Sequence, residues 1–123
     1  MNQKKSSRPW FFRVQDILSA IERIEAFTKG MIFVEFDKNR MVQDAVIRNF
    51  EIIGEVVSHI PTSIRDHYSQ VPWRQIISMR NFLIHEYFGA DNRVIGDTIV
   101  IHLSNLKNQL LQIVIDHPNE QGF

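Results

Sequence analysis

The largely apolar segment RNFLIHEYFG contains three side chains that could take part in a reaction. They are Arg80, His85 and Tyr87, which lie within a stretch of eight residues. A guanidinium keeps its positive charge, and its fork of N–H groups matches the oxygens of an anion. An imidazole can give or take a proton near neutral pH. The segment could therefore bind an anionic ligand and move a proton beside it.

Helical geometry predicts how these side chains are arranged around the segment. Successive helical residues turn by about 100°, which places Arg80 at the centre of an apolar stripe that includes Trp73. Tyr87 lies two turns further along that stripe. Asn81 and His85 are four residues apart and share one flank of it. Arg80 and His85 then point about 140° apart. They could still contact one small ligand, either because the arginine side chain is long or because a second copy of the helix faces this one.

A guanidinium buried in such a stripe would cost several kcal/mol unless something pairs with it. Three partners are open: a carboxylate of the same chain, a subunit interface, or an anionic ligand in a cleft. Glu55 is the obvious internal carboxylate, and Glu51 and Asp44 are others. Taken singly, an arginine on a core stripe is most simply explained by such an ion pair.

The first half of the chain predicts two amphipathic helices. Apolar residues at spacings of three and four indicate a helix over residues 14–27, with Gly30 as its stop. The second helix is predicted to be capped by Asp37 and closed by Pro61. Gly54 lies inside it at a cost of about 1 kcal/mol relative to alanine, and we expect another helix to approach closely there.

The second half predicts a short helical turn within residues 62–70 and two further helices. Proline suits a first helical position, so the third helix runs from Pro72 to about Phe88, with Gly89 as terminator. The region 93–116 is ambiguous, because DTIVIHL is rich in β-branched residues. Helical spacing nevertheless continues through the region, and a lone strand would have no sheet to join, so we predict a helix. Its apolar positions are Ile99, Leu103, Leu106, Leu110 and Ile113 or Val114.

The composition limits the class of protein. The 123 residues suffice for one domain, and 44% are hydrophobic, enough to form a core. With no cysteine, disulfides, thiolate zinc sites and cysteine nucleophiles are excluded, and with zero net charge a strongly basic nucleic-acid surface is excluded too. No apolar run is long enough to span a membrane and no signal peptide is recognisable, so the expected location is the cytoplasm.

The expected organisation is an N-terminal extension (1–13), one all-α, up-and-down bundle of four to five helices (14–116) and a C-terminal tail (117–123).

Around these candidate catalytic residues the sequence resembles the HepT-like proteins of the HEPN superfamily. Arg80, His85 and Tyr87 match their R-x4-H-x-Y signature. The flanks match as well: DILSAIERIEAFTKG resembles the first helix of the family, DAVIRNFEIIGEVVSHIP the second, and VPWRQIISMRNFLIHEYFGAD the third helix and its loop. The resemblance covers about residues 14 to 115.

The resemblance implies a HEPN-like homodimer in which Arg80 and His85 form a metal-independent ribonuclease site at the dimer groove. It also implies a toxin of a type VII toxin–antitoxin module. The partner would be an MntA-like nucleotidyltransferase antitoxin that transfers AMP from ATP to Tyr87 and so blocks the site. Asn81 would be a polar helper and Glu55 a supporting carboxylate, and no cofactor is implied.

The residue types suit that reaction. Cleavage of RNA without a metal needs a base for the 2′-hydroxyl, for which histidine is suited, and a cation for the phosphate, for which arginine is suited. The expected product ends in a 2′,3′-cyclic phosphate. No metal-ligand spacing competes, because the remaining histidines, His59, His67, His102 and His117, are not arranged as ligands.

Two other functions remain open at this point. The chain could be a non-catalytic HEPN-type binding subunit that docks a nucleotidyltransferase and a nucleotide, in which case His85 is replaceable. Alternatively, Arg80 could simply pair with Glu55, and its replacement would then destabilise the fold and do nothing else.

Overall fold

Helices make up the regular structure of the described part of the chain. The computed structural model describes residues 8–85 and 91–120, and for 84 and 85 it describes the backbone alone. The prediction of an all-α fold is confirmed for this part, and none of its helices is long and apolar enough to cross a membrane. In chain order the elements are α1 (Trp10–Thr28), α2 (Phe33–Lys38), α3 (Arg40–Val57), α4 (Thr62–His67), α5 (Trp73–His85), α6 (Asn92–Asp97), a π-helical segment (Thr98–Leu103), α7 (Ser104–Asp116) and a 3₁₀ turn (Pro118–Glu120).

The bundle is organised around α1 and α3. Helix α3 packs on α1 along one side and on α5 along another, while α7 packs on α1. Most of the side chains between these helices are aliphatic and almost fully buried, so the core is mainly a hydrophobic layer. They include Ile17, Ile21 and Ile24 of α1, Val46 and Ile53 of α3, Leu83 of α5, and Leu110 and Ile113 of α7.

Helix α1 begins earlier than the sequence predicts. It starts at Trp10, directly after Pro9, rather than at Val14. The reason is that Phe11 lies in the buried face of the helix, so its apolar ring extends the stripe by a turn. Residues 10–13, expected in the N-terminal extension, therefore belong to the first helix.

The connection from α1 to α3 contains a short helix that the sequence pattern did not predict. Gly30 follows the end of α1 with φ of 76°, a left-handed conformation that glycine adopts without strain, so its predicted role as a stop is confirmed. The prediction that Asp37 caps the next helix is wrong, because Asp37 lies inside α2. Burial of Phe36 holds that extra turn against the core, and Asn39 caps α3 instead, accepting a hydrogen bond from the Val42 N–H at 3.1 Å.

Helix α5 starts at Trp73, one residue later than the predicted start at Pro72. Its first residue, Trp73, is buried, and the indole N–H donates to the carbonyls of Arg65 and Tyr68 at 3.1 and 3.0 Å. These bonds fix the start of α5 against the end of α4. The predicted continuation to Phe88 and the terminator Gly89 lie outside the described residues, as does Tyr87.

The ambiguous region is helical, as predicted. DTIVIHL completes α6 and forms the π-helical segment, in which the backbone makes a wider turn than in an α-helix. Leu103, Leu110 and Ile113 are buried, so the spacing of the apolar residues decides the structure of this region over the β propensity of its residues.

Candidate active site

The candidate site lies where α3 crosses α5. A Cβ added to Gly54 of α3 would lie 2.6 Å from the Cγ of Arg80 on α5 and closer still to its Cβ. A real Cβ cannot approach that closely, so the crossing requires glycine at this position. The close helix approach expected at Gly54 is therefore confirmed, and Arg80 is the residue that fills the space.

Arg80 faces α3 as the helical spacing predicts, between the directions of the buried Trp73 and Leu83, but its guanidinium is not buried in the stripe. The side chain of Arg80 is 29% exposed. Its aliphatic stem packs over Gly54, and its charged head reaches the protein surface beside α3. An arginine can bury its stem and hydrate its head in this way, which avoids the cost of a buried charge.

Two polar groups hold the guanidinium of Arg80. Its Nη2 donates to Oε1 of Glu55, and its Nη1 donates to Oδ1 of Asn81 at 2.7 Å. The internal carboxylate is thus the partner that the structure provides. The pair is not sealed from solvent, however, because the Glu55 side chain is 51% exposed. An arginine has five N–H groups, and these two hydrogen bonds use two of them.

A histidine that sequence reasoning did not assign to the site completes the cluster. His59, which follows the end of α3, places its Nε2 3.2 Å from Oε2 of Glu55. That hydrogen bond is the largest cause of a lowered pKa of Glu55, and the charge of Arg80 and its hydrogen bond lower the pKa further, while partial burial opposes them. Glu55 is therefore an ionised carboxylate at neutral pH.

An open depression of about 350 Å³ lies beside Glu55 and Arg80 of this cluster. It is lined by Arg48, Glu51, Ile52, Glu55, Val56 and Arg80, so α3 supplies most of the wall and Arg80 reaches in from α5. Arg48 and Glu51 form a weak ion pair across 3.8 Å. The depression therefore contains two guanidinium groups at the surface and is accessible to a ligand.

The structure brings together three of the predicted site residues, Arg80, Asn81 and Glu55. The backbone of His85 forms the end of α5, one turn beyond Asn81, and its side chain lies outside the described part, as does the whole of Tyr87. His59 was missed because the histidines were compared only with metal-ligand spacings. Its position four residues after Glu55 was the signal that could have found it.

Comparison with known proteins shows the family of the chain. The family model described as "Ribonuclease HepT-like" matches residues 17–113, which span the helices that build the site. The chain belongs to the HepT-like ribonuclease family. Among the residues described, this HepT-like chain has no group of three or more histidine, aspartate or glutamate side chains placed to hold a metal ion.

Several curated proteins are similar to this HepT-like chain over most of their lengths. It is 38% identical to "Putative RNase TTE0752" of Caldanaerobacter subterraneus subsp. tengcongensis over 110 residues, which cover 89% of this chain and 96% of that one. It is 42% identical to "Probable ribonuclease HepT" of Thermococcus cleftensis, over 78% and 87% of the two chains. It is 40% identical to "Putative RNase MJ0125" of Methanocaldococcus jannaschii, over 82% and 87%. No solved structure gave a significant match.

Proposed function

We propose that this protein is a metal-independent endoribonuclease in which Arg80 and His85 act on the scissile phosphate. The observation that carries the proposal is the Arg80 guanidinium, held by Asn81 at Nη1 and by Glu55 at Nη2 in an open depression. A cation fixed in this way is pre-organised for a phosphate, which is the form of electrostatic catalysis that needs no metal. The names of the relatives, which describe ribonucleases, support ribonuclease activity.

The reaction follows from the two side chains. His85, as a general base, takes the proton of the 2′-hydroxyl, and the 2′-oxygen attacks the adjacent phosphorus. The bond from phosphorus to the 5′-oxygen breaks, and that oxygen receives a proton. Arg80 stabilises the negative charge that builds up on the phosphate oxygens. The products are a 2′,3′-cyclic phosphate on one fragment and a 5′-hydroxyl on the other.

The active form is proposed to be a homodimer whose two sites face one groove. The net charge of the chain is zero, so attraction of RNA has to come from locally concentrated cations. The depression supplies Arg48 and Arg80, and a second copy doubles them. A groove of this kind suits exposed single strands of RNA better than a tight duplex grip.

Control of the enzyme is proposed to act at Tyr87, two residues after His85 in the sequence. The tyrosine oxygen attacks the α-phosphorus of ATP, a bond to AMP forms, pyrophosphate leaves and the phenolic proton is lost. The transferase is a partner nucleotidyltransferase of the MntA-like class, which acts as antitoxin to this toxin. An AMP on Tyr87 would place a phosphate and an adenosine close to the end of α5 and exclude RNA.

The decisive experiment is cleavage of total RNA by purified protein in the presence of EDTA. Wild type should release fragments with 2′,3′-cyclic phosphate ends, while Arg80→Ala and His85→Ala should not. Arg40→Ala is a matched control, because this exposed arginine of α3 pairs with Asp44 away from the depression. Equal cleavage by wild type and His85→Ala would rule out the proposed base.

The alternative function is a binding subunit that docks a nucleotidyltransferase and a nucleotide without cleaving RNA. One observation favours it: Arg80 is already paired with a carboxylate of its own chain. In that case wild type and His85→Ala would both leave RNA intact and both bind the partner.

Tyr87→Phe tests whether control acts through AMP transfer to this tyrosine. We expect the variant to cleave RNA and to resist silencing by the partner and ATP.

A further inference from the structure

We infer that His59 is a positioning residue of the ribonuclease site, which acts by holding Glu55 so that Arg80 stays open to the phosphate. The inference rests on the proposed function and adds a residue to it. His59 touches neither Arg80 nor, in this assignment, the RNA. It acts through the carboxylate that lies between them.

The geometry of Glu55 carries the inference. Its two oxygens have different partners on different elements: Oε1 accepts from Nη2 of Arg80 on α5, and Oε2 lies 3.2 Å from Nε2 of His59. A glutamate side chain that is 51% exposed would otherwise sample several rotamers. With both oxygens engaged, the carboxylate is confined to one orientation.

The backbone that carries His59 is held in place. The N–H of His59 donates to the carbonyl of Val56 at 3.0 Å, and the next N–H, of Ile60, donates to Val57 at 3.0 Å. The side chain of Ile60 is almost fully buried and anchors this turn to the core. The imidazole, which is 49% exposed, reaches Glu55 from this fixed backbone position, so the two side chains restrict each other through their hydrogen bond.

The orientation of Glu55 decides whether Arg80 forms one or two hydrogen bonds with its carboxylate. Arginine and a carboxylate readily form a two-point fork, in which both carboxylate oxygens face the guanidinium. Here only Oε1 faces it, because Oε2 is directed to His59. A two-point fork would engage one more N–H group of the guanidinium, which is then lost to a phosphate. His59 therefore prevents Glu55 from competing fully with the substrate.

The other charged groups of the depression do not take over this role. Arg48 faces Glu51 at 3.8 Å, and the Oε2 atom of Glu55 is left to His59. The lowered pKa of Glu55, with the His59 hydrogen bond as its largest cause, agrees with this assignment. Replacing His59 should thus act on Glu55 first and on Arg80 through it.

The first test follows Glu55 directly and needs no catalysis. The ¹³C signal of its carboxyl group is titrated by NMR in wild type, His59→Ala and His59→Gln, with His67→Ala, an exposed histidine of α4, as the matched control. The midpoint should rise in His59→Ala, rise less in His59→Gln, whose amide can still donate, and stay unchanged in His67→Ala. An unchanged midpoint in His59→Ala would overturn the inference.

The second test is a double-mutant cycle on RNA cleavage. Loss of one hydrogen bond to a charged group corresponds to about a tenfold effect, so His59→Ala should lower kcat/KM about tenfold and His59→Gln should recover part of it. In the Glu55→Gln background His59→Ala should have no further effect, because it acts only through that carboxylate. Equal losses in both backgrounds would refute the positioning role.

The two proposals fail in different ways. Equal cleavage by wild type and Arg80→Ala would refute the ribonuclease, and the Glu55 titration would then decide alone whether His59 holds the carboxylate. Cleavage that depends on Arg80 but not on His59 would refute only the positioning role. Melting curves of each variant check that it is folded, and His59→Gln replaces His59→Ala if the latter is not.

Discussion

Replacing Gly54 by alanine tests the helix crossing on which the site depends. The new Cβ would lie 2.6 Å from the Cγ of Arg80 and closer to its Cβ, and a Cβ is fixed to the backbone and cannot rotate away. The helices α3 and α5 must therefore move apart. Over-packing costs up to about 3 kcal/mol, while alanine in place of glycine inside a helix gains about 1 kcal/mol. The expected net loss is about 2 kcal/mol.

The assay is unfolding by heat and by urea, followed by circular dichroism. For a chain of this size a loss of about 2 kcal/mol lowers Tm by about 8 °C. RNA cleavage should fall more than stability, because a displacement of about 1 Å in a phosphate-binding group can cost about 100-fold in rate. Arg80→Ala should not rescue the stability of Gly54→Ala, because it retains the Cβ that clashes.

A matched control is available in α6. A Cβ at Gly96 would meet the ring of Phe33 at 3.1 Å, and a ring can shift by a few tenths of an ångström, so Gly96→Ala should change stability much less. The reasoning about the crossing is refuted if Gly54→Ala raises the free energy of unfolding, because the gain in helix propensity would then be unopposed.

Three further predictions concern stability. Asn39→Ala should lower the free energy of unfolding by about 1 kcal/mol in urea melts, because it removes the cap of α3, and Asn39→Asp should restore most of it. Leu83→Ala should cost about 2–5 kcal/mol by leaving a cavity, whereas the same change at the partly exposed Phe82 should cost clearly less in the same melts; equal losses would contradict the assigned core face of α5. Glu55 has a lowered pKa in the folded protein, so its contribution is present above about pH 4.5 and is lost as the pH falls through the folded pKa. Glu55→Gln should therefore flatten the pH dependence of Tm in that acidic range, and an unchanged slope would contradict the pairing.

The helices were predictable wherever apolar spacing runs over several turns. Spacing alone identified α1 and α3, and it overrode the β-branched composition of DTIVIHL, because a buried stripe stabilises a helix more than local propensity opposes it. Short elements were not predictable. Helix α2 depends on the burial of Phe36 by distant residues, and that burial also decides that Asn39, rather than Asp37, caps α3.

The site was predictable in its residues more than in its geometry. The pairing of Arg80 with Glu55 was open to sequence reasoning, and it is present. The surface position of the guanidinium was not, because a helical wheel places a side chain by the direction of its Cβ. A long arginine departs from that direction when a glycine such as Gly54 opens a path for its stem.

The π-helical segment has a consequence for how the last helix can change. The apolar positions pass through it as Ile95, Ile99 and Leu103, two successive steps of four, and continue at Leu110. A π-turn closes over one residue more than an α-turn, so this segment uses about one extra residue for the same rotation. Deleting one residue between 98 and 102 would therefore let the chain return to ordinary α-turns with Leu110 still on the face that packs on α1. The same deletion within residues 104–109, in regular α7, would rotate everything beyond it by about 100° and take Leu110 off that face. The π-helical segment is thus the place where the last helix can lose a residue and keep its core.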